Sequence, residues 1–391
     1  MTVSAAPATL PDPATTPGRR FGVYLHVPFC ATRCGYCDFN TYTPGELGGA
    51  DPDGWLAAVR AELAQAAARL GTAPAADTVF VGGGTPSLLG ARRLAAVLDA
   101  VRGAFGLARG AEVTTEANPE STSPGLFDAL RCAGYTRLSL GMQSVAPRVL
   151  AVLDRVHSPG RAVAAASEAM AAGFRHVNLD LIYGTPGESD DDLRRSVDAA
   201  LGAGVDHVSA YALVVEDGTA LARRVRRGEL AAPDDDVLAR RYELLDGRLS
   251  AAGFRWYEVS NWSRPGGECR HNLGYWDGGE WWGAGPGAHS YVGSTRWWNV
   301  KHPGAYGQLL AGRTLPVADF EQLGAAQAHT EDVMLRLRLR RGLPSAVLTD
   351  SERRRAEVSI SDGLLDRDGD RLVLTDRGRL LADAVVRSVL D

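Results

Sequence analysis

The sequence has no long apolar run. No stretch of its 391 residues approaches the roughly 18 uncharged apolar residues that a membrane span requires. The first 20 residues, rich in Ala, Pro and Thr, also have no apolar core like that of a secretory signal peptide. We therefore expect a cytoplasmic protein without a transmembrane segment, and transient contact with a membrane surface stays open.

Basic residues are not in excess. The chain has 42 Lys and Arg against 47 Asp and Glu, so its net charge of −5 gives no bulk attraction to phosphate backbones. No nucleic-acid partner is therefore expected. The 45% of hydrophobic and 23% of charged residues are typical of a globular protein, and the length indicates roughly two to three domains.

Cysteine is scarce as well. Only 5 residues are Cys, yet Cys30, Cys34 and Cys37 fall close together with the spacing C-x3-C-x2-C. In a reducing compartment such a cluster more often marks a metal site than disulfides. Cys132, near the end of a predicted helix, is expected to be a small buried apolar residue.

Three clustered thiols favour iron and sulfur over zinc. A structural zinc site takes four protein ligands, and no fourth Cys or His follows at a matching short spacing. A cubane cluster has four irons, so three thiolates leave one iron open to another ligand. An incomplete zinc site and a set of buried structural thiols remain the alternatives at this point.

Regular alternation of strands and helices predicts an α/β fold. After a disordered leader over residues 1–20, short apolar or alternating runs predict strands at 23–29, 78–81, 112–116, 137–143, 176–183 and 207–215, with amphipathic helices between them. Such alternation implies parallel βαβ units. Because six units span only residues 21–215, whereas an eight-unit barrel needs about 250 residues, we predict a partial (β/α)6 barrel.

Two further regions follow the barrel. Residues 216–304 form a predicted extension of the barrel that contains most of the tryptophans. Residues 305–391 are expected to form a mainly helical, winged-helix-like domain with a hairpin around Asp368-Gly369-Asp370. Its mixture of acidic and basic residues favours a protein-contact or lid role over DNA binding.

Polar residues and glycines interrupt the predicted strand ends. Gly82-Gly83-Gly84-Thr85 follows the second strand, and Glu116, Gln143 and Asp180 lie at or near the ends of later strands. In parallel barrels these positions face the active-site mouth, and glycines allow the backbone to approach a ligand closely. Simple turns, helix caps and pairing of the carboxylates with arginines are the structural alternatives.

The cysteine loop resembles that of a known family. Tyr24-Leu-His26-Val-Pro28-Phe29-Cys30 and Cys34-Gly-Tyr36-Cys37-Asp38-Phe39 are similar to the opening of radical S-adenosylmethionine (SAM) proteins of the oxygen-independent coproporphyrinogen III oxidase type. The resemblance extends over residues 21–391. It implies a [4Fe-4S] cluster on the three cysteines, SAM chelated to the open iron, and an external reductant for the cluster.

The resemblance also implies roles for the pocket residues. Gly83, Gly84 and Thr85 would hold the methionine amino group of SAM, and Glu116 would contact its amino acid part. Gln143 and Asp180 would bind the ribose hydroxyls. The remaining expected contacts are Arg155 with the carboxylate or a neighbouring polar atom, Tyr36 with adenine and Tyr24 with the methionine. Loop packing of Tyr36 and a surface helix position for Arg155 are the structural alternatives.

Two departures separate this chain from the oxidase itself. The oxidase carries a fourth cysteine where this sequence has Phe39, and it has a structured N-terminal extension that the leader here does not match. Cys269-Arg-His271-Asn272-Leu-Gly-Tyr275-Trp276 instead contains the H-N-x-x-Y-W signature of the family's haem-chaperone branch. The resemblance therefore implies a protein that binds haem and passes it to an acceptor protein of unknown identity.

Haem requires an axial ligand and flat apolar walls. His271, alone or with Cys269, is the predicted ligand, and Asn272, Tyr275 and Trp276 are the predicted neighbours of the macrocycle. A hydrogen-bonded structural corner is the alternative interpretation of the His-Asn pair. Oxidative decarboxylation of coproporphyrinogen III, and RNA modification by a radical-SAM domain, are the alternative functions.

Overall fold

The computed structural model describes residues 10–11, 13–155 and 158–391. Its strands, in chain order, are β1 (Phe21–Val27), β2 (Ala76–Gly83), β3 (Leu107–Ala117), β4 (Arg137–Gln143), β5 (His176–Tyr183), β6 (His207–Ala212), β7 (Arg255–Glu258), β8 (Asn261–Ser263), β9 (Glu280–Ala284), β10 (His289–Val292), β11 (Thr295–Asn299), β12 (Val317–Gln322), β13 (Leu343–Pro344), β14 (Leu365–Asp368) and β15 (Arg371–Leu374).

The helices alternate with the first six strands and then become more frequent. They are α1 (Pro52–Leu70), α2 (Gly90–Phe105), α3 (Pro124–Ala133), α4 (Pro147–Val152), α5 (Arg161–Ala171), α6 (Asp190–Gly202), α7 (Ala220–Arg226), α8 (Asp235–Ala251), α9 (Arg270–Trp276), α10 (Pro303–Ala311), α11 (Ala325–Arg336), α12 (Asp350–Ser361), α13 (Asp376–Leu380) and α14 (Ala382–Leu390). Short 3-10 turns occupy Pro44–Glu46, Pro86–Leu89, Pro119–Ser121 and Ser345–Val347.

Strands β1 to β6 lie side by side and parallel, each connected to the next through helices. Their apolar side chains form the main core with the inner faces of the surrounding helices. Burial of both faces explains why the strands are apolar runs without strict alternation. The predicted partial (β/α)6 barrel is confirmed, and all six predicted strands are present, two with the predicted ends and four with ends shifted by up to five residues.

The Trp-rich block extends the sheet at both edges. Within the described residues the sheet has twelve strands, in the order β12-β11-β10-β9-β1-β2-β3-β4-β5-β6-β8-β7. Strand β9 pairs parallel with β1, and β8 pairs antiparallel with β6. Trp282 and Trp297 are fully buried with ring centroids 4.9 Å apart, so these two tryptophans help to build the core of this extension.

Part of the predicted leader is packed against the extension. Leu10 is only 3% exposed and belongs to the main core. The Thr16 N–H donates to both carboxylate oxygens of Glu280, at 3.0 and 3.1 Å. The expectation of a disordered leader is therefore wrong for these residues, because an apolar side chain and a buried carboxylate hold them; residues 1–9 and 12 lie outside the described part of the chain.

The C-terminal module has a core of its own. Side chains from α11, α12, α14 and the three-stranded sheet β13-β15-β14 form this second core. The predicted hairpin around Asp368-Gly369-Asp370 joins β14 to β15. The predicted boundary at residue 305 is too early, because Tyr306, Leu310 and Val317 belong to the main core and β12 pairs with β11.

Cys132 is exposed, contrary to the expectation of a buried residue. Helix α3 buries Phe127 and Leu130, and Cys132 comes two residues, about 200°, further around the helix. It therefore lies on the solvent side. In the part of the chain that the structure describes, no helix is both long enough and apolar enough to cross a membrane.

Candidate functional site

A cavity of about 790 Å³ occupies the interior of the barrel. It extends from the cysteine loop, at the carboxyl ends of the strands, to Arg137 and His207, which begin β4 and β6. Nearly all of the residues predicted from the sequence line it, whereas Trp276 does not. Those that do are Tyr24, Cys30, Cys34, Tyr36, Cys37, Gly83, Gly84, Thr85, Glu116, Gln143, Arg155, Asp180, Cys269, His271, Asn272 and Tyr275.

The cysteine loop follows β1 directly and is closed at its base. Cys30 donates its backbone N–H to the carbonyl of Tyr42 at 3.1 Å, and Tyr42 donates to Pro28 at 2.7 Å. Midway along the loop, Gly35 donates to the carbonyl of Leu153 at 3.1 Å. These bonds present the three thiols, all free and partly buried, at one end of the cavity.

The backbone opposite Cys30 is shaped to approach it. A Cβ on Gly84 would lie 2.5 Å from the carbonyl oxygen of Phe29 and 3.0 Å from the Cys30 sulfur, so only glycine fits there. Thr85 and Arg155 also approach thiols: the Thr85 hydroxyl is 3.7 Å from Cys30 Sγ, and Arg155 Nη1 is 3.3 Å from Cys34 Sγ.

The thiols suit a cationic metal cluster. Burial raises the pKa of Cys37 to about 11 and also raises the pKa of Cys30, so without a cation both stay protonated at neutral pH. Iron coordination supplies the positive charge that ionises such thiols. Among the described residues no group of three or more His, Cys, Asp or Glu side chains is arranged for a single metal ion, whereas a cubane takes each thiolate on a separate iron.

Two carboxyl groups lie on the same side of the cavity. Glu116 accepts the N–H of Gly83 at 3.0 Å, and burial together with the charge of Asp180 raises its pKa to about 8. Burial also raises the pKa of Asp180, although Ser139 and Asn178 donate hydrogen bonds to it at 3.1 and 2.6 Å. Buried carboxyl groups in this state favour a ligand that carries positive charge.

Arg155 and Gln143 lie beside Asp180, at the end of β4 between the two carboxyl groups. Arg155 donates to the carbonyl of Gly141 at 3.1 Å, and a Cβ on Gly141 would lie 2.7 Å from Arg155 Nη2 and 3.0 Å from Gln143 Nε2. Gln143 has a φ of +64° at the end of β4. A non-glycine residue in the left-handed region costs about 1–3 kcal/mol and is typical of a ligand site.

Two tyrosines mark different parts of the cavity. Tyr24 is hydrogen-bonded to His26 Nδ1 at 3.0 Å, and His26 Nε2 is hydrogen-bonded to the carbonyl of Asn40 at 2.9 Å. Through Asn40, this pair holds the end of the cysteine loop. Tyr36 packs against an apolar cluster that includes Ile182 and Leu213. That apolar surface suits the face of an aromatic base.

The H-N-x-x-Y-W motif lies at the opposite end of the cavity from the thiols. It forms helix α9, which packs against β1 and β2. His271 is buried, and its Nδ1 is 2.7 Å from the Thr78 hydroxyl while its Nε2 is 2.8 Å from the Tyr275 hydroxyl. Burial lowers its pKa to about 3. Axial ligation of haem by His271 would require one of these hydrogen bonds to break.

The neighbouring residues continue a polar network towards Asp180. Asn272 donates to the hydroxyl of Tyr257 at 3.2 Å, and that hydroxyl is 2.9 Å from His207 Nε2. His207 Nδ1 is 2.5 Å from the side-chain oxygen of Asn178, whose amide group contacts Asp180. The motif thus closes the amino-terminal end of the barrel and is connected by hydrogen bonds to the carboxylate at the other end.

The sequence interpretation missed the partners of Asp180. Ser139 and Asn178 face each other on β4 and β5, and Ser209 on β6 faces Asp180 itself. The spacing of Asn178 and Asp180 could have indicated one of these partners. The two polar residues lie two positions apart in a mainly apolar strand, so their side chains are on the same face.

Comparisons with known proteins show the family of the chain. A family model described as the Radical SAM superfamily matches residues 24–200. The protein named heme chaperone HemW from Mycobacterium tuberculosis (strain ATCC 25618 / H37Rv) is 75% identical over 390 residues, 100% of both chains. The protein of that name from Bacillus subtilis (strain 168) is 31% identical, covering 94% of this chain and 98% of its own.

A solved structure shares the whole fold. The coproporphyrinogen III oxidase HemN from Escherichia coli, described as a radical SAM enzyme, superposes with a TM-score of 0.83 over 96% of this chain and 91% of its own, at 22% identity. At that identity the likeness concerns the fold. From the family model and the relatives that match over nearly their full length, the chain belongs to the radical SAM superfamily and, within it, to the HemW family.

Proposed function

We propose that this protein holds a [4Fe-4S] cluster on Cys30, Cys34 and Cys37, with SAM on the iron that they leave open. Three free thiols on a loop at the mouth of the barrel, with a glycine backbone that approaches Cys30, support this assignment. When bound, the cluster and SAM supply reductive cleavage of the sulfonium to methionine and a 5′-deoxyadenosyl radical, with electrons from an external reductant.

The chain's own residues would bind and orient SAM. Gly83, Gly84 and Thr85 line the side next to Cys30, and Glu116, Gln143 and Asp180 would accept or donate hydrogen bonds to the amino and ribose groups. Arg155 would bind the carboxylate, while Tyr24 and Tyr36 would pack at the methionine and adenine ends. The buried carboxyl groups beside Arg155 support a ligand that carries both positive and negative charge, as SAM does.

We further propose that the protein is a haem chaperone, which binds haem and transfers it to an acceptor protein. The observation that carries this proposal is the 75% identity, over the full length, to a protein named heme chaperone HemW. Phe39 also supports it, because this side chain, 62% exposed beside the cavity, stands where the resembling oxidase has a further cysteine.

Anaerobic reconstitution of the cluster, followed by parallel assays for haem binding and for decarboxylation of coproporphyrinogen III, tests the proposal. We expect haem to bind with a defined stoichiometry and no decarboxylation. Decarboxylation at a catalytic rate would establish the oxidase function instead. A protein that neither binds haem nor decarboxylates would contradict both functions.

A further inference from the structure

A second cavity, of about 530 Å³, lies beside the first. Side chains of the sheet extension form one wall, and Glu331, Met334 and Leu335 of α11 contribute the other. Tyr24 and Tyr275 line both cavities, so a layer only one side chain thick separates the two spaces. The volume falls within the range of about 300–1,000 Å³ typical of small-molecule sites.

One histidine in this cavity differs from the others that the structure describes. The ring nitrogens of six histidines are hydrogen-bonded; these are His26, His176, His207, His271, His302 and His329. His289, on β10, is exposed and has no such bond within the described residues. Its ring is held by stacking on Trp298, with centroids 5.7 Å apart and an interplanar angle of 26°.

The surroundings of His289 suit a flat, apolar, metal-containing ligand. Trp281 and Tyr275 present aromatic rings at the cavity, 4.6 Å apart between centroids and at 81° to each other, and Met334 and Leu335 are apolar. Partial burial of the ring and the nearby charges of Lys301 and Arg296 lower the pKa of His289.

Arg296 brings a guanidinium to the cavity, where it is paired with carboxylates. It is bonded to Glu321 at 2.8 Å and to Glu331 at 2.7 Å, and its guanidinium lies 5.7 Å from the ring centre of Tyr291. A guanidinium binds carboxylates with bidentate geometry, and a ligand carboxylate would take the place of Glu321 or Glu331. The propionates of haem would be such carboxylates.

We propose that haem binds in this second cavity with His289 as an axial ligand. The H-N-x-x-Y-W motif then contributes as a positioning element, because His271 is bonded to Tyr275, whose ring separates haem from the SAM cavity. This inference rests on the proposed haem-chaperone function and specifies where that haem lies.

Haem titration of the full-length, anaerobically reconstituted protein tests it, with the Soret spectrum, magnetic circular dichroism and stoichiometry as readouts. His289→Ala is expected to lower haem affinity at least about tenfold, because loss of even an indirect metal partner costs about 10–100-fold. Its Soret band should shift, and added imidazole should restore the wild-type spectrum. His302→Ala, which removes a hydrogen-bonded histidine outside the cavity, should leave affinity and spectrum unchanged.

The outcomes separate the two proposals. A wild-type protein that binds no haem would contradict the chaperone function itself. Wild-type haem binding with an unchanged spectrum and affinity in His289→Ala would overturn the His289 site alone and leave the chaperone function standing. If His271→Ala instead gives the Soret spectrum of a protein that has lost its axial ligand, and His289→Ala keeps the wild-type spectrum, the ligand belongs to the H-N-x-x-Y-W motif. Unchanged SAM binding by His289→Ala checks that the variant is folded.

Discussion

At the scale of single residues, burial of the carboxyl groups of Glu116 and Asp180 carries a cost in stability. Both are buried, and the charge of Asp180 further disfavours the charged form of Glu116. Arg155 offsets part of this cost through its own positive charge. A cationic ligand would offset the remaining cost of burial. Without that ligand, the two carboxyl groups lower the stability of the protein.

Glu116→Gln tests this trade-off through pH. The pKa of Glu116 rises from 4.5 to about 8 on folding, so its stabilising protonated form is fully present below pH 4.5 and is lost as the pH rises through 8. The amide cannot ionise. We therefore expect the Tm of SAM-free Glu116→Gln, relative to wild type, to increase between pH 5.5 and pH 8.5, as measured by scanning fluorimetry.

The same variant should bind SAM about tenfold more weakly, because a hydrogen bond to a charged group is worth about 1.5–3 kcal/mol. Glu243→Gln, which changes an exposed carboxylate on α8, serves as the control and should alter neither quantity. A Tm difference that is identical at both pH values would show that Glu116 does not titrate in this range.

At the scale of elements, the glycine segment after β2 determines how closely the chain approaches the thiols. Gly84→Ala would force its Cβ against Phe29 and the Cys30 sulfur. We expect this variant to incorporate much less iron on anaerobic reconstitution, measured by iron analysis and cluster absorbance. Gly103→Ala, in α2 with open space around its Cβ, should retain full iron content. Equal iron in both variants would mean that the backbone at Gly84 does not constrain Cys30.

Closure of the barrel's amino-terminal end depends on a buried ion pair. Arg137 contacts Glu112 at 3.1 Å with side chains 1% and 5% exposed, and Glu112 also accepts the N–H of His271 at 3.1 Å. Removal of one partner of a buried pair typically costs about 3–5 kcal/mol. Glu112→Leu should therefore lower the free energy of unfolding by that amount in chemical denaturation.

Two comparisons sharpen this expectation. The double variant Glu112→Leu with Arg137→Met should recover part of the loss, since no uncompensated charge stays buried. Glu229→Leu, which breaks the exposed pair with Arg227, should cost less than about 1 kcal/mol. If Glu112→Leu cost no more than Glu229→Leu, the pair would not hold the closure together.

The strands of the barrel could be predicted because the local pattern of apolar and polar residues determines them. The runs at 137–143 and 176–183 coincide with β4 and β5, since each apolar stretch ends where polar residues face the cavity. Strand β9 could not be predicted, because it has five residues and its parallel partner β1 lies far away in the sequence. The cavity residues at the strand ends could likewise be predicted from the sequence. The hydrogen bonds of Asp180 with Ser139 and Asn178 could not, because they depend on the register between neighbouring strands.

At the scale of the whole molecule, one arginine connects the C-terminal module to the barrel. Arg379 of α13 is bonded to both carboxylate oxygens of Asp246, at 2.8 and 3.0 Å, and to the hydroxyl of Tyr242 at 2.7 Å. Its guanidinium lies 4.4 Å from the ring centre of Trp256. Because α11 of the same module forms a wall of the second cavity, the position of the module affects any ligand bound there.

Arg379→Ala should loosen the module without unfolding the barrel. The side chain is 4% exposed, so its removal leaves Asp246 with the Trp262 indole N–H but without its cationic partner, and each core can unfold separately once the contact between them weakens. We expect amide hydrogen exchange over residues 325–390 to accelerate at least tenfold, which corresponds to a loss of about 1.4 kcal/mol in the free energy of local unfolding. Strands β1 to β6 should keep their protection from exchange. Arg377→Ala, two positions away and exposed, should leave both regions as in wild type. Faster exchange in the barrel as well would show that the two cores unfold as one unit. Helix α11 could then not move independently of the barrel.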